Sequence, residues 1–427
     1  MSDLDLRYLS VDPDAASAAV FTCVSRAFHE SMPAEHRQRW QAVVEPDRTF
    51  GFVDGSRWVS TCGAFTRRLT VPGGAGVPTA AVTMVTVEPT WRRRGLLSRM
   101  MRHQLEEIRD TGTEPLAYLW AAESAIYPRF GYGRASSRLT LSGPTRAPFS
   151  DAGLGEARSV QEVTREEFEP IAEALHAQQL PDRVGALDRP PQWWEFVLAD
   201  LREESSDVGP RRYLVHRRDG QVAPGSRLAG SPTDPASQVD GVAMFTVRSP
   251  WAQPTDGQAQ LRIEMLEAQS PAAAAGLWRF LLDLDLVRTF EYRTAVDDPV
   301  QLMLSAPDAL TARVFDGTYL RVVDVVAALQ ARRYAREIDI VLDVHDEMLG
   351  SGRYRLQGGP DGSQVTRTDQ AGDLSLGVGD LGSAYLGGFS LAMLAAAGRV
   401  EEHRTGMLAR AAAAFATARA PFCPDDF

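Results

Sequence analysis

Residues 83–98 constrain this chain more than any other stretch: Thr-Met-Val-Thr-Val-Glu-Pro-Thr-Trp-Arg-Arg-Arg-Gly-Leu-Leu-Ser. The apolar, β-branched run at 82–87 reads as a buried strand. Pro89 stops that strand, because proline has no N–H to give to a ladder. Arg92, Arg93, Arg94 and Gly95 then form a basic turn. After it, Leu97, Met101, Leu105 and Ile108 recur at helical spacing along one face. A strand, a glycine-containing turn and a helix start leave backbone N–H groups unpaired at the positive end of the helix dipole. Such a terminus holds phosphate, and arginines beside it add charge and forked donors. The alternative is a solvated basic loop in which Gly95 only tightens the turn.

A chain of 427 residues exceeds one ordinary core, which predicts roughly two to four domains. Its 44% apolar and 24% charged residues exclude a disordered or fibrous protein. A net charge of −11 disfavours a nucleic-acid partner and suits a small cationic substrate drawn to an acidic cleft. Cys23, Cys62 and Cys423 are scattered and odd in number, which predicts reduced thiols in a cytoplasmic protein. The histidines show no ligand spacing, so no metal is expected. The N-terminus is charged and lacks an apolar signal core. No apolar run approaches the roughly 18 residues needed to span a membrane.

In chain order, alternation predicts a strand at 5–10, and helical spacing predicts helices at 12–29 and around His36 and Trp40. Strands follow at 49–53, 57–68 and 78–87. After the basic turn and its helix come strands at 115–121 and 138–142, giving a mixed α/β sheet. Residues 145–155 read as a linker. A second segment repeats the strand-to-helix order (260–266, then 271–284) without an Arg-Arg-Gly turn, and 222–237 reads as a loop. The last segment has a helix at 322–333, strands at 338–344, 352–357 and 363–368, and helices at 382–397 and 405–418. That is an α+β pattern. The tail, Ala-Pro-Phe-Cys-Pro-Asp-Asp-Phe, carries two aromatic residues that predict a docked end rather than a frayed one.

The order Arg92-x-x-Gly95-x-Leu97 resembles the acetyl-CoA pyrophosphate loop of GNAT acetyltransferases, whose usual last position is Gly or Ala. Further segments resemble the Eis (enhanced intracellular survival) family of GNAT enzymes. They are Arg-Arg-Arg-Gly-Leu-Leu at 92–97, Ile-Tyr-Pro-Arg-Phe-Gly-Tyr-Gly at 126–133, Tyr-Leu-Arg-Val-Val-Asp-Val at 319–325, Ser-Ala-Tyr-Leu-Gly-Gly at 383–388 and the terminal Asp426-Phe427. In that family Leu is usual at the departing position. The resemblance covers the whole chain and is weakest from about 150 to 300. It implies an N-terminal GNAT domain with an acetyl-CoA site (1–150) and a degenerate GNAT-like domain without one (151–310). It also implies a C-terminal domain similar to sterol carrier proteins (311–427), assembly as a homohexamer, and acetylation of amines, including aminoglycosides at several positions.

Acetyl transfer from a thioester to an amine requires a held cofactor, a deprotonated amine, a stabilised oxyanion and a protonated leaving thiol. The backbone of Val85, Thr86 and Val87 is suited to pair with pantetheine, and the amides of Arg93, Arg94, Gly95, Leu96, Leu97 and Ser98 with the pyrophosphate. The resemblance adds Ala122 and Glu123, the latter also readable as a helix-capping acid. It makes Tyr127 the general acid; a phenol, with an ordinary pKa near 10, stays protonated at neutral pH. Tyr132 is its nearest rival and reads as core. The resemblance makes the α-carboxylate of Phe427 the general base. That group has an ordinary pKa of about 3.5, which desolvation would raise. Glu30 and Asp426 are candidate contacts for substrate ammonium groups, with Phe28 and Trp40 as walls. Two rivals stay open: a protein-lysine or polyamine acetyltransferase, and a carrier of an apolar ligand whose GNAT half is vestigial.

Overall fold

The computed structural model describes residues 4–150, 159–199, 207–218, 238–248 and 259–427. The loop expected at 222–237 and the second part of the linker expected at 145–155, residues 151–155, lie outside them. The chain divides into two compact units. One comprises Met1–Ser137, Pro181–Val197 and Asp316–Phe427; the other comprises Arg138–Leu180 and Leu198–Phe315.

The first unit contains an eight-stranded sheet and a five-stranded sheet. In the larger one, Gly76–Val87 pairs antiparallel with Ser60–Thr70 and parallel with Leu116–Trp120. The parallel pair is joined by the helix Leu96–Thr111, as a crossover requires. This helix buries Leu96, Met100, Met101, Gln104, Leu105 and Ile108. That stripe, at three- and four-residue steps, leaves Leu97 on its flank rather than in the core.

The strand expected at 138–142 forms over Ser137–Pro144, but in the other unit's sheet, where it pairs antiparallel with Val287–Ala295. The strand that pairs with Leu116–Trp120 on its other side is Thr318–Val322. Periodicity marks a strand but not its partner. The pairing is fixed by contacts remote in sequence, such as the Thr318 hydroxyl on the Tyr118 hydroxyl at 2.5 Å, 200 residues apart.

The five-stranded sheet runs Gly362–Arg367, Gly352–Gly359, Ile338–His345, Leu374–Gly377 and Val400–Glu402. The long helix expected at 382–397 is two helices, Val378–Tyr385 and Leu391–Ala396, because Gly387 between them adopts φ +82°. The helix Val378–Tyr385 packs backbone to backbone on the larger sheet: a Cβ on Gly133 would lie 1.7 Å from the Gly379 carbonyl oxygen. The glycine in Tyr-Gly at 132–133 therefore serves close approach. One apolar core runs from Phe65 and Tyr118 through Leu320 to Leu342, Leu381 and Phe415.

The second unit has a seven-stranded sheet in which Ala259–Ala268 and Val287–Ala295 are the parallel pair, joined by the helix Pro271–Leu282. This repeats the order of the first unit. Cys23, Cys62 and Cys423 are free and buried. No helix among the described residues is long and apolar enough to cross a membrane.

Candidate active site

The parallel pair in the first unit splays. Gly76–Val87 stays in register with Leu116–Trp120 only from Thr79–Leu116 to Val82–Leu119. On its other flank it remains paired as far as Val87 with Ser60. Between Thr61 and Gly63 the ladder advances two residues on one strand and three on the other, from Thr86 to Thr83. The extra residue is a bulge at Met84, φ +49°. The Thr61 hydroxyl donates to the Met84 carbonyl at 2.6 Å and meets the Thr86 hydroxyl at 2.6 Å. The bulge bends 85–87 away from their parallel neighbour, and a cleft of about 1200 Å³ opens there.

Val85, Thr86 and Val87 line this cleft, with Arg93, Gly95, Leu96, Leu97 and Ser98 at the basic turn. Gly95 has φ +76° and opens the helix Leu96–Thr111, whose first turn no side chain caps. Its first-turn amides have no side-chain cap, an arrangement able to take an anion. Arg92 braces the turn by donating to the Ala27 and Val87 carbonyls at 3.2 and 3.4 Å. Arg94 lies outside the cleft wall: its guanidinium sits over Trp91 at 4.5 Å and donates to the Thr90 carbonyl.

Ala122, Glu123 and Tyr127 line the same cleft just past the strand Leu116–Trp120. Tyr127 is 7% exposed. Its ring meets Tyr132 edge-on at 5.8 Å. Burial, with a smaller contribution from the Cys62 thiol, holds the Tyr127 phenol well above its ordinary range. Tyr132 is buried in the core, off the cleft.

The end of the chain reaches this cleft too, and Asp426 and Phe427 line it. The Phe427 ring stacks on Tyr118 at 6.1 Å, and the Trp120 indole donates to the Asp425 carbonyl at 2.7 Å. Phe28, Glu30 and Trp40 complete the wall. Trp40 is fixed against Phe65 and Phe196. The cleft is thus lined by Arg92, Arg93 and Arg129 as well as by Glu30, Glu123 and Asp426. His29 lines it and His36 does not.

Sequence reasoning missed Trp120, Arg129 and Asp425. The aromatic strand residue and the acid before Asp426 were visible, but nothing local ties one to the other across 305 residues.

In the second unit the corresponding helix start is already satisfied. The Ser270 hydroxyl accepts from the Ala273 amide at 3.1 Å and donates to Asp240 at 2.8 Å. Asp240 also holds His216 at 2.7 Å. A capping hydroxyl backed by a carboxylate opposes an anionic ligand. Among the described residues no cluster of His, Cys, Asp and Glu could hold a metal ion.

Residues 13–135 and 229–322 each match an acetyltransferase (GNAT) domain family, and residues 325–424 match the sterol carrier protein domain. GNAT domains use acetyl-CoA as cosubstrate. An uncharacterized N-acetyltransferase of Streptomyces avermitilis is 40% identical over 92% of this chain and 93% of its own length. The N-acetyltransferase Eis of Mycobacterium tuberculosis is 33% identical over 93% of this chain and 94% of its own. The crystal structure of Eis1 from Mycobacterium abscessus superposes with a TM-score of 0.80 at 30% identity, covering 99% of this chain and all of that one. The uncapped cradle, the splayed strands and these relatives agree: the chain belongs to the Eis family of GNAT N-acetyltransferases, enzymes that pass an acetyl group to an amine.

Proposed function

We propose that this enzyme acetylates amines of small cationic substrates, aminoglycosides at several positions foremost, with Tyr127 as general acid and the Phe427 carboxylate as general base. The observation that carries this reading is the meeting of three features in one cleft: an uncapped helix start, Tyr127 and the last residue of the chain. In this reading the backbone of 85–87 and the amides of 93–98 hold the cofactor, with Ala122 and Glu123 beside it. Glu30 and Asp426 attract the substrate's ammonium groups, and Phe28 and Trp40 wall it in. The Phe427 carboxylate takes a proton from the attacking amine, whose nitrogen bonds to the thioester carbon. The carbon–sulfur bond then breaks, and the Tyr127 hydroxyl gives its proton to the departing sulfur.

On this reading domain 1–150 supplies the cofactor site, 151–310 has none, and 311–427 supplies the base. A cytoplasmic homohexamer is the form the family resemblance favours. Mass spectrometry after incubation with acetyl-CoA and a panel of aminoglycosides, polyamines and a lysine-bearing peptide tests the substrate class. A product carrying several acetyl groups on one aminoglycoside is expected; acetylation of the peptide alone would reject it.

Gly95 offers a separate test of the cradle. A Cβ there meets nothing within 4 Å, so space is not limiting, but φ +76° is. The left-handed conformation costs an ordinary residue about 1–2 kcal/mol. Gly95→Val is expected to weaken acetyl-CoA binding by about tenfold as the turn relaxes. Calorimetry showing an unchanged Kd would remove the turn from the cofactor site.

A further inference from the structure

The last residue of a chain has no following segment to hold it, and chain ends fray unless tied down. A general base has to sit within hydrogen-bond reach of the proton it takes. If Phe427 is that base, something must fix it.

Two residues upstream, Asp425 is 3% exposed. One carboxylate oxygen meets Arg67 at 3.2 Å, and the other meets two nitrogens of Arg189 at 2.8 and 2.7 Å. Its carbonyl oxygen takes the Trp120 indole at 2.7 Å and the Cys423 thiol at 3.5 Å. The guanidinium groups are themselves seated: Arg67 lies over Trp193 at 4.3 Å and Arg189 over Trp194 at 4.8 Å. Arg67 also holds the side chain and carbonyl of Asp188. The neighbouring Val184 carbonyl accepts from the Phe422 amide at 2.9 Å. The Gly185 carbonyl accepts from Tyr118, on which the Phe427 ring stacks.

Arg189, Asp188, Val184, Gly185 and both tryptophans belong to one short piece, Pro181–Val197. Its flanks in sequence belong to the other compact unit.

We infer that Arg67, Asp425 and Arg189 form a buried ionic clasp that positions the Phe427 carboxylate in the cleft. We also infer that Pro181–Val197 is the part of the middle segment given over to completing it. The inference rests on the reading of Phe427 as base. A buried ion pair is weak evidence for stability, and its best-attested use is to set register. Setting register is what an unsupported catalytic terminus needs. Asp425 is thus a positioning residue, acting through Phe427.

The test uses full-length Asp425→Asn and Arg189→Gln, the second leaving the Arg67–Asp425 pair in place should the first not fold. Release of Phe427 by carboxypeptidase, followed by mass spectrometry, reads the tail directly. It is expected to quicken by about tenfold or more while acetyl-CoA affinity stays near that of the parent, and the Tm is expected to fall because a buried charge loses its partner. The kcat is expected to fall by about tenfold or more. In a chain already lacking Phe427, Asp425→Asn is expected to change the residual rate by less than about twofold, because residues acting through one group are not additive. Unaltered release and kcat in folded variants, even with a lowered Tm, would assign the network to stability and overturn the clasp. Full activity after loss of Phe427 would instead overturn the base, and the release assay would still decide whether the clasp holds the tail.

Discussion

Removing Phe427, or extending the chain beyond it with a tag, is expected to abolish acetyl transfer while acetyl-CoA binding persists. The two halves of this result have separate causes. On the proposed reading the groups that hold the cofactor lie on Gly76–Val87 and at the start of Leu96–Thr111, and neither element depends on the last residue for its own pairing. On the same reading the base is the α-carboxylate of Phe427. A tag converts it to a peptide carbonyl, which cannot take a proton at neutral pH, and drives new chain into the cleft that Phe427 lines. A positioned general base contributes about 10²–10⁴ in rate. The expected loss in kcat is of that size, with the acetyl-CoA Kd moving by less than about twofold. Calorimetry beside steady-state kinetics separates the two. A C-terminally tagged enzyme working at the untagged rate would remove Phe427 from the chemistry. Loss of cofactor affinity in step with rate would show that the tail shapes the whole cleft rather than serving as base.

The strand, the turn at Gly95 and the helix after it were legible because everything they need is local. A β-branched run, a proline stop, three arginines, a glycine and a helical stripe occupy one stretch of 16 residues, 83–98, and each acts on its neighbours. Leu97 shows how far that reasoning reaches: the periodicity found the helix, but the buried face begins at Leu96 and turns Leu97 toward the cleft. Arg94, equal to its neighbours in sequence, goes to Trp91 instead.

What sequence could not convey was partnership across distance. The strand at Ser137–Pro144 reads the same whichever sheet receives it; it pairs with Val287–Ala295, and Thr318–Val322 pairs with Leu116–Trp120. The aromatic tail predicted docking. Asp425 gave no sign of its role, because the arginines that hold it lie 358 and 236 residues away.

Tyr127→Phe is expected to lose about 10²–10⁴ in kcat while the protein stays folded. The ring is nearly buried and packed edge-on against Tyr132, and phenylalanine keeps that contact; only the hydroxyl, and the proton it carries, is lost. The sign of the pH effect follows from burial, which raises the Tyr127 pKa above its ordinary value of about 10. A raised pKa keeps the phenol protonated through the whole neutral and mildly alkaline range. Any fall in rate below pH about 10 must therefore come from another group. By the same linkage, burying the neutral phenol favours the folded state at low and neutral pH. That contribution shrinks as pH climbs past about 10, and Tyr127→Phe is expected to remove that part of the alkaline stability loss. A donor whose thiol leaves as a stable anion, such as an acetyl aryl thioester, does not need the proton. Tyr127→Phe is therefore expected to recover much of the lost rate with such a donor, because the missing step has been made unnecessary. A variant equally slow with both donors would place Tyr127 in packing or orientation instead, and a variant as fast as the parent with acetyl-CoA would end its claim to be the acid.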